Sequence, residues 1–283
     1  MKSSSNSQIL NAPEEVKVAM KSPKELKELF ESHLANFTDS ERWQGYLYQP
    51  MTYILSLGGK RIRPVLLLLT YQSLSGKSAE KALNAAAAVE FFHNFSLLHD
   101  DIMDKAPVRR GKPTVHVKWS DDVAILSGDA MFALTFELLI RDFPEKASEL
   151  IKEYTAVSLG VCEGQMDDMV MANEEGGEIS AYLEMIRQKT AVLIGGAMSL
   201  AAICADAAPE LVEKIRVYGE LIGTGFQLQD DYLDVYAEQA KFGKQVGGDI
   251  LENKKTYLLL TAMKDADPAT REALDRLLED ESD

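Results

Sequence analysis

Two stretches with one shared pattern decide the fold of this chain: FFHNFSLLHDDIMD at residues 91–104 and FQLQDDYLDV at residues 226–235. Each is an apolar run that ends in DDxxD. On an α-helix, positions i and i+4 share one face, so the first and last aspartates of each cluster would lie side by side. Like charges at this spacing destabilise a helix, and apolar flanks increase the cost. The clusters are Asp100, Asp101 and Asp104, and Asp230, Asp231 and Asp234.

A bound cation explains why a helix would keep such a cluster, because carboxylate oxygens are the ligands that Mg²⁺ prefers. A single DDxxD can equally be a solvated acidic face, but its repetition inside two apolar helices argues against that interpretation. An EF-hand calcium loop is excluded, since its ligands alternate along a loop with a central glycine. Two magnesium clusters that face each other across a helical cavity would hold a polyphosphate between them.

Helical patterning continues through most of the chain. Ser22 and Glu25 form a capping-box pattern that opens a helix to about Phe37, and Pro64 suits the first turn of another helix. Further helices are predicted over residues 79–104, 121–140, 144–172, 178–204, 209–236 and 248–264, with basic loops at 105–117 and 237–248. The uncharged run at 190–205 is too short to span a bilayer and predicts a buried helix.

This patterning predicts an all-α fold: a single-domain bundle of about ten or more helices around a deep central cavity. No shift in composition marks a second domain. We expect residues 1–21 to be a flexible N-terminal segment and residues 22–283 to form the domain.

Composition narrows the class of protein. The 283 residues include 30 Lys and Arg against 45 Asp and Glu, a net charge of −15, and 46% are hydrophobic. This is globular composition and excludes a disordered chain. So acidic a surface predicts no nucleic-acid partner and no stable membrane insertion. Cys162 and Cys204 have neither metal-ligand nor paired spacing, which is typical of a reducing compartment, so we expect a cytoplasmic protein.

Basic residues collect next to the acidic clusters. The segment GGKRIRP at residues 58–64 places basic residues at a helix start, where backbone N–H groups also favour anions. One such residue alone would usually be a surface charge. Their placement together indicates a second, metal-free diphosphate pocket. The residues are Lys60, Arg61, Arg63, Arg109, Arg110, Lys244 and Lys254.

His93 lies two helical turns before Asp100, on the same face and about 10 Å away along the axis. A lone histidine on an apolar helix is usually a packed core residue. Because the face of His93 points toward the proposed anion site, we predict contact with a diphosphate. His99 and His116 have no such argument and are expected to be structural.

In this order, the motifs resemble those of trans-prenyl diphosphate synthases, the family that includes farnesyl and geranylgeranyl diphosphate synthases. The motifs are GGKRIRP, HNFSLLHDDIMD with RRG after it, EGQMDD, KT at 189–190, FQLQDDYLD, GK at 243–244 and GGDILENKKTY. The resemblance implies an isoprenoid synthase fold and a homodimer. It also implies magnesium-dependent condensation of isopentenyl diphosphate with an allylic diphosphate, in which the released diphosphate is the base.

The resemblance also implies roles for individual residues. Asp100, Asp104 and Asp230 would ligate three Mg²⁺ ions (with Mn²⁺ as a possible substitute), supported by Asp101, Asp231 and Asp234, while Asp249 reaches the third ion through water. Arg109, Lys189 and Lys254 would contact the allylic diphosphate, with Lys244 nearby. Gly59, Lys60, Arg63, His93 and Arg110 would form the isopentenyl diphosphate pocket. Thr190 and Gln227 would place dipoles beside the carbocation, and Gln165 and Asp168 match a supporting pair.

Product length is predicted from Phe95 and Ser96, which lie just before the first cluster. In the family, large side chains at these positions act as a floor for the growing tail, and small ones let it grow. One large and one small residue, with no insertion inside the first DDxxD, favour the C20 product geranylgeranyl diphosphate over the C15 product farnesyl diphosphate. Phe91 and Phe92 would form a second floor.

Other functions remain open at this point. A longer-chain synthase differs only in the floor. A class I terpene cyclase usually has a mixed Asn, Ser and Glu motif as its second cluster and lacks the isopentenyl pocket. A non-catalytic subunit of a heteromeric synthase tends to lose one aspartate cluster, and both are intact here. Family members continue in further helices past KKTY, so we expect that the C-terminus is truncated.

Overall fold

The computed structural model of the chain describes residues 19–39, 41–173, 176–236, 247–251 and 254–279. Lys244 and most of the 1–21 segment lie outside these residues. The α-helices are α1 Pro23–Thr38, α2 Tyr48–Ser56, α3 Ile62–Ser75, α4 Leu83–Met103, α5 Val115–Lys118, α6 Asp121–Arg141, α7 Ala147–Asn173, α8 Ile179–Ile186, α9 Val192–Cys204, α10 Pro209–Tyr236, α11 Gly248–Leu251, α12 Tyr257–Asp265 and α13 Pro268–Glu279. Short 3₁₀ turns lie at Glu41–Gln44, Ala79–Ala82 and Pro144–Lys146.

Helix α1 begins where its sequence predicts. The Ser22 hydroxyl accepts from the Glu25 backbone N–H at 3.4 Å, and the Glu25 carboxylate accepts from the Ser22 N–H at 2.8 Å. This capping box satisfies two backbone donors that the first helical turn leaves free. The helix buries Leu26, Phe30 and Leu34, which recur at helical spacing.

Helix α9 is the centre of the bundle. Every residue from Val192 to Cys204 is buried, which confirms the buried helix predicted over this stretch. It packs against α3, α7 and α10. Its contact with α10 is backbone to backbone, because a Cβ added to Gly219 would lie only 2.7 Å from Gly195 Cα.

Two predicted helices are interrupted. The helix predicted over 248–264 is instead α11 and α12, with residues 254–256 not helical, and the helix predicted over 178–204 is interrupted once. A π-helical turn, Arg187–Ala191, separates α8 from α9. Turns of this kind occur often at functional sites, and this one contains Lys189 and Thr190.

The basic loop predicted over 105–117 is instead a small antiparallel hairpin followed by α5. Strand β1, Val108–Arg109, pairs with β2, Lys112–Pro113. The two turn residues, Arg110 and Gly111, have φ of 52° and 73°, the left-handed conformation of a type I′ turn. The turn gives Arg110 a fixed position beside the α2–α3 loop.

Among the described residues, one helix, α6, is long and apolar enough to cross a membrane by length and composition, with a mean hydropathy of 1.8 over its most apolar 18 residues. In the fold, 44% of that 18-residue stretch is buried. The packing partner is chiefly α4, and a core helix of a globular bundle meets the same criteria.

Candidate active site

A cavity of about 400 Å³ lies between α4, α7 and the π turn. Along α4 its lining changes from aromatic to acidic, because Phe92 and Phe95 precede Asp100 by about two and one helical turns. Arg109 and Lys189 join Asp100 in the lining, while Val161, Met166 and Leu193 extend the apolar part. The arrangement suits a molecule with an anionic head and an apolar tail.

Three aspartates, two from the first cluster and one from the second, are available to a cation. Asp100, Asp104 and Asp230 make no side-chain hydrogen bond or ion pair with the residues that the structure describes. Burial raises the pKa of Asp100 to about 6; Lys189 opposes this shift, and Asp104 adds to it. A partly buried carboxylate without a protein partner is a favourable ligand for a hard cation.

The middle aspartates are occupied by protein donors instead. The Asp101 side chain is 2% exposed. Its carboxylate accepts a hydrogen bond from Arg109 Nε at 2.8 Å and forms an ion pair with Arg109 Nη2 at 2.7 Å. Asp231 is 3% exposed, and its carboxylate accepts hydrogen bonds from the Tyr182 hydroxyl and from Gln227 Nε2, the latter at 3.0 Å. These bonds fix the helix turns that carry the outer aspartates.

Asp234 also has a structural partner, since its carboxylate accepts the backbone N–H of Asp249 at 3.0 Å. Within the described part of the chain, no three His, Cys, Asp or Glu side chains form a ready-made metal cage. The residues that fit a metal are therefore the outer aspartates, which offer hard oxygen donors, and the type of donor favours Mg²⁺.

The basic residues expected at an allylic diphosphate are each held by a carboxylate. Lys189 Nζ lies 2.5 Å from Asp168 Oδ2, and Lys254 Nζ lies 3.5 Å from Asp249 Oδ1. With the Arg109–Asp101 pair, these contacts restrict the positions of the three cations, of which Arg109 and Lys189 line the cavity.

Two glycines hold the π turn in place. A Cβ added to Gly164 on α7 would lie 2.2 Å from the Lys189 backbone nitrogen, and one added to Gly223 on α10 would lie 2.5 Å from Ala191 Cα. Helices α7 and α10 thus clamp the turn from two sides, and both contacts require glycine. The sequence gives a weak signal of this, namely a glycine within each of two long helices.

A hydrogen-bonded chain links the π turn to the second aspartate cluster. Thr190 Oγ1 donates to Gln227 Oε1 at 3.2 Å, and Gln227 Nε2 donates to Asp231. Tyr182, which is 2% exposed, closes the chain from α8. Sequence reasoning missed Tyr182; its only signal was its place seven residues, or about two helical turns, before Lys189.

The expected isopentenyl pocket contains a paired arginine and histidine. Arg63 Nη1 lies 3.3 Å from His93 Nε2, while Arg63 Nε is buried without a partner in the described structure. Burial, together with the charges of Arg63 and Arg110, holds the pKa of His93 well below its ordinary value. A neutral imidazole therefore accepts from Arg63, which leaves the remaining arginine donors free for an anion.

The α2–α3 loop is the second wall of this pocket. Arg110 donates to the Gly58 carbonyl, and its guanidinium would lie 3.1 Å from a Cβ on Gly59, which has φ of 146°. Gly59 is therefore required for both conformation and space. The Lys60 ammonium lies 5.3 Å from the Phe226 ring centroid, so the loop reaches α10.

Arg61 does not belong to the anion pocket, and its inclusion among the candidate anion-binding residues was wrong. It is 4% exposed and binds Glu31, Glu90 and the Leu55 carbonyl. Burial of an arginine requires such partners, and Arg61 therefore locks α1, α2 and α4 together.

Phe95 and Ser96 both line the cavity. The Phe95 ring lies 5.1 Å from that of Phe132 and 4.8 Å from that of His99, while the Ser96 hydroxyl donates to the His93 carbonyl at 2.9 Å. His99 also lines the cavity, a position that the sequence did not predict.

Comparison with known proteins gives a consistent answer. The sequence pattern of the polyprenyl synthetase family matches residues 44–283. A short chain isoprenyl diphosphate synthase of Methanocaldococcus jannaschii is 44% identical over 234 residues, which are 82% of this chain and 71% of the relative. A geranylgeranyl diphosphate synthase of Methanosarcina mazei is 40% identical over 220 residues, covering 77% and 68% of the two chains.

Solved structures agree with the sequence relatives. A crystal structure of a geranylgeranyl pyrophosphate synthase superposes with a TM-score of 0.86 at 43% identity, covering 92% of this chain and 78% of the other. A geranylgeranyl pyrophosphate synthetase from Pyrococcus horikoshii gives a TM-score of 0.82 at 34% identity, covering 91% and 78%. The predicted all-α fold is confirmed. Fold, cavity and relatives together show that this chain is a prenyltransferase and belongs to the polyprenyl synthetase family.

Proposed function

We propose that this chain condenses isopentenyl diphosphate with an allylic diphosphate to give geranylgeranyl diphosphate. The observation that carries the proposal is that Asp100, which has no protein partner among the described residues, the basic residues Arg63 and Lys189, and an apolar wall meet in one cavity. An enzyme that removes a diphosphate from an apolar tail needs all three.

Enzymes of this family are generally magnesium-dependent, and the proposal places three Mg²⁺ ions, replaceable by Mn²⁺, on the outer aspartates Asp100, Asp104 and Asp230. When bound, the metal supplies Lewis-acid charge that stabilises the departing diphosphate. Asp101, Asp231 and Asp234 hold these aspartates in place through the bonds described above.

The allylic diphosphate is bound by Arg109, Lys189 and Lys254. Lys244, to which the resemblance gives a role at the same substrate, lies outside the described residues. Arg109, Lys189 and Lys254 are fixed in advance by Asp101, Asp168 and Asp249, respectively. Little reorganisation is therefore needed as negative charge develops on the leaving group. The apolar lining excludes water, which would otherwise quench the carbocation.

Thr190 and Gln227 place dipoles beside that cation. Gln227 is oriented because its amide nitrogen donates to Asp231, which leaves Oε1 directed toward Thr190. The isopentenyl diphosphate is bound by Gly59, Lys60, Arg63, His93 and Arg110, and its double bond attacks the cation. The released diphosphate accepts the proton that leaves.

The C20 length rests on Phe95, which packs on Phe92 and Phe132 and forms a floor, while Ser96 leaves room beside it. Relatives named geranylgeranyl diphosphate synthase support this length. A C25 product is the second candidate, since a geranylfarnesyl diphosphate synthase of Natronomonas pharaonis is 38% identical.

Mass spectrometry of the products made from dimethylallyl and isopentenyl diphosphate with Mg²⁺ tests the proposal. A dominant C20 diphosphate is expected. A dominant C15 or C25 product would overturn the length, and no magnesium-dependent condensation would overturn the reaction.

The proposal includes a cytoplasmic homodimer with one domain per chain. Leu126 on α6 and Leu159 on α7 are 60% and 58% exposed, and the two helices are in contact. We expect a second copy to cover these apolar side chains. Light scattering coupled to size-exclusion chromatography should give twice the 31.4 kDa chain mass; a monomer would overturn the dimer.

A further inference from the structure

A second cavity, of about 580 Å³, lies outside the catalytic one, between the end of α2 and the β1–β2 hairpin. Its lining includes the basic side chains of Arg110, Lys112 and Lys118. Neither the proposed reaction nor the metal clusters use Lys112 or Lys118.

The charge of this cavity is not neutralised by the protein. In the described ranges of the chain, no carboxylate lies within ion-pair distance of these three residues, although the chain as a whole has a net charge of −15. Lys112 and Lys118 are both exposed. A concentration of unpaired positive charge on an otherwise acidic surface attracts anions selectively to that place.

The cavity is also held in shape. The Lys118 ammonium lies 3.8 Å from the Tyr53 ring centroid and 4.6 Å from that of Trp119, contacts that stabilise a cation. The Tyr53 hydroxyl donates to the Pro113 carbonyl at 2.8 Å and ties the hairpin to α2.

Arg110 connects this cavity to the isopentenyl pocket. It lines the second cavity, and its guanidinium lies against Gly58 and Gly59 in the loop that leads to Lys60. The side chain of Arg110 therefore lies between Lys112 and Lys118 on one side and the loop of the inner pocket on the other.

We propose that Arg110, Lys112 and Lys118 form a metal-independent outer anion site that captures the diphosphate of isopentenyl diphosphate before it enters the inner pocket. The inference rests on the proposed function, which assigns the inner pocket to that substrate. The chemistry of the site would also suit free inorganic phosphate, so the experiment separates the two sources.

The test compares Lys112→Gln/Lys118→Gln with the control Lys81→Gln/Lys152→Gln, in which two exposed lysines that line neither cavity are replaced with the same change in net charge. At low ionic strength we expect kcat/KM for isopentenyl diphosphate to fall roughly three- to tenfold in the first variant, since steering raises on-rates by at least that factor. The control should stay within about twofold of wild type, because its lysines lie away from the anion path. The kcat/KM for the allylic substrate should match between the two variants. At about 1 M salt, where the Debye length is about 3 Å, the difference should disappear.

Calorimetric titration with inorganic pyrophosphate in metal-free buffer provides a readout that does not depend on turnover. Wild type and control should bind more tightly than Lys112→Gln/Lys118→Gln. Equal binding and equal kcat/KM in both variants would overturn the outer site, whereas absence of condensation by wild type would overturn only the proposed reaction. A third outcome is that inorganic phosphate, added at constant ionic strength, changes wild-type turnover, and that only Lys112→Gln/Lys118→Gln loses this response while its kcat/KM stays intact. That outcome would overturn substrate capture and indicate a site for regulatory phosphate.

Discussion

Replacing Tyr182 by phenylalanine should distinguish the contribution of the hydrogen bond between Tyr182 and Asp231 from that of the packing of the ring. The Tyr182 hydroxyl donates to Asp231, and the two residues are 2% and 3% exposed. Burial and the neighbouring Asp231 raise the pKa of Tyr182 far above its ordinary value, so the hydroxyl remains a donor at every working pH. The substitution keeps the ring and leaves one oxygen of a buried carboxylate without its donor.

The loss can be estimated from the structure. A hydrogen bond to a charged group contributes about 1.5–3 kcal/mol. With an unfolding entropy of about 2.1 cal/mol/K per residue and 283 residues, that loss lowers Tm by about 3–5 °C. Calorimetry measures this directly. Tyr218→Phe is the matched control, because Tyr218 is 59% exposed and also lies on a helix of the bundle.

If the role of Tyr182 were purely structural, the substitution would lower Tm and leave kcat unchanged. If Tyr182 orients Asp231 and, through it, Gln227, then kcat should also fall by about tenfold, the factor that corresponds to about 1.4 kcal/mol. The KM for isopentenyl diphosphate should stay unchanged, since that pocket lies on other helices. Calorimetric Mg²⁺ affinity in the presence of an allylic diphosphate should weaken in parallel. A Tyr182→Phe enzyme with the Tm, kcat and Mg²⁺ affinity of Tyr218→Phe would show that Tyr182 does not orient Asp231.

Three further predictions concern the cavity itself. Asp100→Asn should lower kcat by roughly two to four orders of magnitude, because several kcal/mol of charge stabilisation are lost. Thermal stability should hold or rise, since the raised pKa of Asp100 indicates that burial disfavours the charged carboxylate. Calorimetry and rate assays that give a destabilised but active enzyme would contradict this. Lys60→Ala should raise the KM for isopentenyl diphosphate about ten- to hundredfold, the equivalent of about 1.5–3 kcal/mol, with little change for the allylic substrate; equal shifts in both constants would mean that the pockets are exchanged. Phe95→Ala should lengthen the products seen by mass spectrometry, and an unchanged distribution would place the floor elsewhere.

The helices were largely predictable because their determinants are local. Residues 209–236 were predicted as one helix and form one, since their apolar spacing and the absence of internal proline leave little alternative. The same local reasoning placed DDxxD on helix ends. It failed at residues 105–117, because a type I′ turn depends on Arg110 and Gly111 both adopting positive φ, which a basic composition does not reveal.

Partners across helices were beyond sequence reasoning for a physical reason. Arg61 and Arg63 are two residues apart in one basic segment, yet Arg61 is bound by Glu31 and Glu90 whereas Arg63 faces His93. Only the packing of α1 against α3 and α4 decides which arginine meets the acids. Charge alone made the two residues look equivalent.

The π turn determines where Lys189 and Thr190 lie in the active site. A regular helix through residues 187–191 would rotate Lys189 and Thr190 away from their present positions, because a π turn inserts an extra residue into the helical repeat. The insertion persists because Gly164 and Gly223 let two helices approach its backbone within van der Waals distance. Lys189 then reaches Asp168 at the cavity rim while Thr190 reaches Gln227. The glycines, which have no side chain to contact a substrate, therefore determine where the reacting groups lie.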